Sequence, residues 1–263
     1  MFQIFVTFVS PNHFITKYIY YNKGIMKQLR KALALTIASI FVLSLSAQDK
    51  KVKVSILGDS YSTFEGYVVE GNELWYGSSP QWDRGNDVVR VWNTWWHRLI
   101  DEHGLQLEVN DSWSGSTVCT TSYNGAYRPD NAFIARVDRL GNPDVILVFG
   151  GTNDMWAGSP LGDYQYADWT DDDLKNFRPA LCCLFDRLKK RYPNALIYNI
   201  ENTELKQEFY ESCEVICKHY GITRVKLHHI SKQLGHPSID GMQAIARQVW
   251  EVMGNRISAG KVY

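Results

Sequence analysis

At positions 144–149 the chain reads DVILVF, and the run is closed at once by Gly150-Gly151-Thr152-Asn153-Asp154. An unbroken apolar run rich in β-branched residues describes a strand covered on both faces, the setting of a parallel sheet. Working outward, similar short runs precede it at 52–57, bounded by Gly58, and at 105–109. Others follow at 195–200 and, more weakly, at 223–227. Between them the apolar period changes to that of helices. Val91, Trp95 and Leu99, with Trp92 and Trp96 beside them, make a wide stripe of the kind that packs a core. Phe133, Val137 and Leu140 predict another helix. Residues 174–192 predict a third, stopped by Pro193, and 205–220 a fourth. Met242, Ile245, Ala246, Val249 and Met253 predict the last, with Ser238 or Asp240 as N-cap. Strands alternating with helices imply an α/β fold: a three-layer α/β/α sandwich around a mostly parallel, flavodoxin-like sheet of about five strands.

The 263 residues carry 45% apolar and 21% charged side chains, which excludes a disordered or low-complexity chain. The 28 basic and 28 acidic residues are unevenly placed. Residues 1–47 hold five basic residues (Lys17, Lys23, Lys27, Arg30, Lys31) and no acidic one, leaving 23 basic against 28 acidic from Gln48 onward. That balance argues against nucleic acid as a partner. Lys27, Arg30 and Lys31 precede an apolar run over 32–47 that ends in small residues, the order of a signal peptide. The run is short for a membrane span, so an uncleaved anchor is the lesser alternative. Signal peptides begin at their start codon, so Met26 is expected to be the true start. The expected organisation is an extension plus leader over 1–47 and one domain over 48–263. The expected product is exported, periplasmic or extracellular, with no stable membrane association after cleavage. The cysteines, 119, 182, 183, 213 and 217, are odd in number and read as small buried hydrophobes. One bridge between the 182/183 and 213/217 pairs stays open.

Ligands of parallel α/β sheets bind where loops leave the carboxyl ends of strands. After the first strand comes Gly58-Asp59-Ser60-Tyr61-Ser62; after the second, Asn110-Asp111-Ser112-Trp113-Ser114-Gly115. After the third comes Gly150-Gly151-Thr152-Asn153-Asp154, and before the last helix Gly235-His236-Pro237. Ester hydrolysis needs a nucleophile, a base and donors for an oxyanion. Ser60 offers a hydroxyl, and Gly115 an unobstructed backbone N–H. Asn153 offers an amide donor, and His236 an imidazole suited to base catalysis. His228 and His229 compete for the last role and read as strand-end residues.

The order Ser, Gly, Asn, His resembles that of the SGNH (GDSL-type) hydrolases over nearly all of 51–253. The resemblance implies Ser60 as nucleophile and His236 as base. It also implies an oxyanion hole of the Ser60 and Gly115 N–H groups and the Asn153 side chain, with no metal and no organic cofactor. The G-x-S-x-G elbow of the other large esterase fold is absent. One position departs from the family. The acid expected three residues before the histidine is Gln233. A backbone carbonyl near 233 holding the ring, an acid from elsewhere (Asp59, Asp154 or Asp163) or a weak site are the alternatives, the first being favoured. Asp59, Trp113, Asp154 and Trp156 are candidate substrate-binding residues, although turn-shaping is the simpler role for the two aspartates. Trp75, Trp82, Trp113, Trp156 and Trp169 lie in or beside the post-strand loops, and flat aromatic faces suit sugar rings. The sequence therefore predicts an exported serine esterase acting on small-molecule or glycan acyl esters, acetyl in the first place. A lipase or thioesterase of the same family, and a catalytically decayed carbohydrate-binding protein, are the competing readings.

Overall fold

Five parallel strands, in the order β2-β1-β3-β4-β5, form the sheet of the computed structural model. The structure describes residues 51–258, together with 26–28 and 31. The chain divides into two compact units, Met1–Lys50 and Lys51–Tyr263. The first is helical at its described residues. The predicted apolar run and cleavage site of the leader lie outside the described residues. Among the described residues no helix is long and apolar enough to cross a membrane.

In the second unit the strands are β1 (Lys53–Gly58), β2 (Gln106–Ser112), β3 (Val145–Phe149), β4 (Leu196–Glu201) and β5 (Thr223–Lys226). The helices are α1 (Trp95–Glu102), α2 (Thr152–Ala157), α3 (Phe177–Arg191), α4 (Gln207–Tyr220) and α5 (Ile239–Ser258). The unbroken apolar runs mean what they predict, because the inner strands β1, β3 and β4 feed both faces. Val54, Ile56, Val145, Leu147 and Phe149 pack with Trp95, Trp96 and Leu99 of α1 and Met242, Ile245 and Val249 of α5. Leu57, Ile146, Val148 and Ile197 pack on the other face with Phe177, Leu184 and Leu188 of α3 and Phe209 and Ile216 of α4. This is the three-layer sandwich, and the strand order is the flavodoxin-like one.

Several boundaries differ from expectation. The helix predicted on Phe133, Val137 and Leu140 is two successive 3₁₀ turns, Phe133–Ala135 and Val137–Arg139. Arg136 joins them, and its buried guanidinium reaches away to Asp111, Gly58 and Ser116. Val91–Asn93 is likewise a 3₁₀ turn, and Thr94 caps α1 by accepting the N–H of His97. Trp95 and Trp96 are core residues, whereas Trp92 faces outward. Strand β2 runs on to Ser112, so Asn110, Asp111 and Ser112 belong to the strand rather than to its loop. Helix α3 starts later than predicted, after a 3₁₀ turn at Asp173–Lys175. The cap of α5 is Ser238, whose Oγ accepts the N–H of Gly241. All five cysteines are buried and free, so the bridge left open by the sequence is not formed.

Candidate active site

The register brings the loops together. Gly58, at the carboxyl end of the inner strand β1, pairs with Ser112 of β2 on one side and Phe149 of β3 on the other. The chain then continues to Ser60, to Gly115 and to Asn153 in three adjacent loops. This is the point where strand order reverses, the crevice in which such sheets bind ligands. Gly58 is required there, because a Cβ would come within 2.5 Å of Ser112 Oγ and 2.8 Å of Ser62 Cβ. Arg136 fastens the same corner from below. It is fully buried and donates to the carbonyls of Asp111 and Gly58 and to Ser116 Oγ.

Ser60 opens a 3₁₀ turn, Ser60–Ser62, capped by Asp59, whose Oδ1 accepts the N–H of Tyr61 at 3.0 Å. Asn153 lies in the first turn of α2, an element the sequence reading lacks. Its Nδ2 donates to Ser116 O at 2.9 Å and its Oδ1 accepts from Tyr123 Oη at 2.6 Å. These two bonds orient the amide and leave the second Nδ2 hydrogen uncommitted. Gly115 has φ of +76°, a left-handed backbone, with open space where a Cβ would stand. No acceptor among the described residues takes the backbone N–H of Ser60 or of Gly115.

His236 sits on an element that the sequence reading lacks. Lys232–Gln233 (β6) and His236–Pro237 (β7) form a small antiparallel hairpin around Leu234-Gly235. Both turn residues have positive φ, 51° and 76°, the pattern of a type I′ turn. The left-handed Leu234 aims its carbonyl at His236 Nδ1, 3.2 Å away. A carbonyl only accepts, so Nδ1 carries the hydrogen and Nε2 presents its lone pair. That lone pair faces Ser60 Oγ at 2.9 Å. Burial holds the imidazole down to about 4; the Leu234 carbonyl opposes this, while Arg84 and Lys232 add to it. His236 is therefore neutral at ordinary pH and ready to accept a proton. His228 and His229 follow β5, with their Nδ1 atoms 3.1 Å apart, and take no part.

The predicted substrate contacts divide. Asp59 and Asp154 are fully buried, and both accept backbone N–H groups. Asp59 caps the Ser60–Ser62 turn. Asp154 accepts the N–H groups of Val118 and Cys119 at 2.8 and 3.1 Å, folding the loop that carries Gly115. Burial raises their carboxyls, Asp59 to about 7 and Asp154 to about 6. Trp156 is 44% exposed, with its ring 6.3 Å from that of His236. Trp113 is half-buried and lines a cavity of about 250 Å³ with Tyr127, Arg128 and Asn131. Trp169 packs against the α3/α4 core, with its indole N–H on Gln165 O.

Sequence reasoning missed the surroundings of His236. Trp75 stacks on the imidazole, with ring centroids 3.5 Å apart and planes within 5°. Tyr61 Oη donates to Gly235 O at 2.5 Å, and Tyr76 Oη to Pro237 O at 3.0 Å. Asn86 Nδ2 adds bonds to the carbonyls of Gln233 and Pro237. The available signals were the adjacency of Tyr61 to Ser60 and the aromatic stretch after β1 that breaks the strand–helix alternation.

The GDSL-like Lipase/Acylhydrolase family matches residues 52–253. A candidate GDSL-like lipase from Bacteroides ovatus is 51% identical, with TM-score 0.77, over 79% of this chain and 100% of that one. A second, from Bacteroides uniformis, is 56% identical, with TM-score 0.77, over 79% of this chain and 97% of that one. A family two carbohydrate esterase from Clostridium thermocellum, solved with cellohexaose, shares the fold at 20% identity and TM-score 0.55, over 81% of this chain and 67% of that one. No curated protein matches the chain. With the match spanning most of the chain and the five-stranded sandwich that carries it, this protein belongs to the GDSL-like lipase/acylhydrolase family and is an ester hydrolase.

Proposed function

We propose that the protein is an exported serine esterase that removes acetyl groups from carbohydrate, using Ser60 and His236 as a dyad. The observation that carries this is the 2.9 Å approach of His236 Nε2 to Ser60 Oγ beside two unengaged backbone N–H groups. Ser60 Oγ attacks the ester carbonyl while its proton passes to Nε2. The resulting oxyanion is received by the N–H groups of Ser60 and Gly115 and the free Nδ2 hydrogen of Asn153. The C–O bond to the alcohol breaks, and the alcohol leaves with the proton from Nε2. Water then attacks the acyl-enzyme, gives its proton to Nε2, and the acid departs as Ser60 regains the proton. The Leu234 carbonyl keeps the ring in the tautomer both half-reactions need.

The substrate class rests on the surroundings. Trp156 presents an exposed aromatic face near His236, and Trp113, beside Gly115 in sequence, lines a cavity of about 250 Å³. The leader-like order of residues 27–47 supports export. A panel of aryl esters of increasing chain length, followed by acetylated oligosaccharides, tests the proposal with Ser60→Ala as control. Preference for acetyl and release of acetate from the sugar are expected. Preference for long chains establishes the lipase or thioesterase reading instead. Sugar binding without any hydrolysis establishes the decayed binding protein.

A further inference from the structure

The hydrogen bond from Nδ1 to Leu234 O fixes one direction of the imidazole and leaves its plane free to tilt. No carboxylate oxygen hydrogen-bonds the ring among the described residues. We propose that Trp75, with the hydroxyls of Tyr61 and Tyr76, is the positioning device that replaces the missing carboxylate and keeps His236 aimed at Ser60. This rests on the Ser60–His236 dyad reading.

Four observations carry it. The near-parallel stack at 3.5 Å fixes the plane that the single hydrogen bond leaves free. The rings of Tyr61, Tyr76 and Trp156 close the remaining sides, at 5.1, 6.2 and 6.3 Å between centroids. The carbonyls on either side of His236, those of Gly235 and Pro237, are held by the Tyr61 and Tyr76 hydroxyls. Finally, the device is anchored to the nucleophile itself. Thr63 Oγ1 donates to Ser60 O at 3.1 Å and accepts the N–H of Trp75 at 2.9 Å. Nucleophile and base are thus located against each other through Ser60, Thr63, Trp75 and His236.

The indole also supplies chemistry. Its π face offers the imidazolium that forms during acyl transfer a cation–π attraction, smaller than the desolvation that burial imposes on the charged ring, which is the largest influence on it. The cations facing the assembly are Arg84, whose guanidinium lies 4.6 Å from the Trp75 ring, and Lys232, paired with Glu204 at 3.0 Å; the buried carboxyl of Asp59 faces Tyr61 and Tyr76. Both cations disfavour the imidazolium. The nearby Asp87 is engaged by Gln233 Nε2 and by the N–H of Ile239.

The test compares wild type with Trp75→Leu, Trp75→Phe and Tyr61→Phe, using hydrolysis of a soluble acetyl ester and the rate of Ser60 labelling by a fluorophosphonate across acid and neutral pH. Trp75→Leu is expected to lower kcat and the labelling rate about tenfold or more with KM little changed, because the interaction is used in the transition state. Its acid limb is expected to move up from about 4 toward 6.5 as water reaches the ring. Trp75→Phe is expected to recover most of the rate. A folded Trp75→Leu with wild-type rate overturns the proposal, as does a loss that Phe does not rescue with the acid limb unmoved. If Trp75→Leu does not fold, Tyr61→Phe decides: a lowered kcat at constant KM supports the proposal and an unchanged kcat overturns it. Should wild type neither hydrolyse nor label, the dyad reading fails. The device is then judged by the ring titration of His236 in nuclear magnetic resonance, where Trp75→Phe leaving the midpoint in place and Trp75→Leu raising it is expected. No difference between wild type and Trp75→Leu overturns it.

Discussion

Gln233 and Asp87 hold each other at both ends of the glutamine amide: Gln233 Nε2 donates to Asp87 Oδ2 at 3.2 Å, and Gln233 Oε1 accepts the N–H of Asp87 at 2.8 Å. The side chain three residues before the histidine therefore points away from the imidazole. It ties the hairpin to the 86–87 segment, and Asp87 in turn caps α5 through the N–H of Ile239. Gln233→Asp is not expected to restore a triad. A shorter, charged side chain would face Asp87, a like charge, and loosen the hairpin. The expected kcat is equal to or below that of wild type. A rise of about 10² or more would contradict this, since a working carboxylate contributes up to ~10⁴ in such enzymes.

As the proposed base, His236 works only when neutral. Its value of about 4 places the acid limb of kcat/KM well below the 6.5 of an unperturbed imidazole. The same shift enters stability. Folding favours the neutral ring, so the folded state binds fewer protons between about 4 and 6.5. Its contribution is whole above that window and is lost as pH falls through it. In His236→Gln, urea midpoints are expected to fall less steeply on acidification over that window. A steeper fall in the variant would contradict the assignment.

Asn153 is oriented by Ser116 O and Tyr123 Oη, with one amide hydrogen left for the substrate. Asn153→Ala is expected to cost ~10²–10³ in kcat with a small change in KM. Tyr123→Phe, which removes only the orienting hydroxyl, is expected to cost much less. Steady-state kinetics on a soluble acetyl ester distinguishes the two.

Asp59 gives the opposite sign to His236. Its carboxyl is raised from 3.8 to about 7 by burial, so folding favours the protonated form. Its contribution is therefore present at low pH and lost as pH climbs from about 4 to 7. Asp59→Asn keeps an acceptor for the Tyr61 N–H and lacks the titration. It is expected to match or exceed wild type in stability at neutral pH, and to lose that advantage on acidification. Asp59→Ala loses the cap, at a cost of about 1 kcal/mol. Urea unfolding of the three proteins across pH checks the ordering.

Arg136 is the fully buried charge under the site, and Asp111 is its partner. Burial lowers the guanidinium to about 10, leaving it charged at neutral pH. Arg136→Ala is expected to cost about 3–5 kcal/mol, because it strips a buried carboxylate of one cation and frees four further acceptors, the carbonyls of Asp111, Gly58 and Asn131 and Ser116 Oγ. Arg139, on Asp111 Oδ2 at 2.9 Å, would soften the loss. Denaturant unfolding measures it.

The sheet was legible in sequence because its inner strands β1, β3 and β4 are apolar on both faces and end in glycine or a polar turn. The meeting of Ser60 and His236 was legible because their blocks stand in the right order around those strands. What escaped reading depended on local backbone geometry. Leu234 shows no sign in its side chain that its carbonyl will turn to His236, because the type I′ turn sets it. Trp75 lies in the loop after β1, far in sequence from His236, and no periodicity records a stack across 161 positions (236 against 75). The 3₁₀ turns at 133–139 share a helix's apolar spacing, and only the pull of the buried Arg136 separates them.

In the proposed dyad, Ser60 is activated without a carboxylate behind His236. The decisive measurement is to treat the purified protein with a fluorophosphonate and locate the adduct by peptide mass, with Ser60→Ala alongside. A single adduct on Ser60, absent from the control, is expected. Folded protein that takes up no label at Ser60 would overturn the dyad.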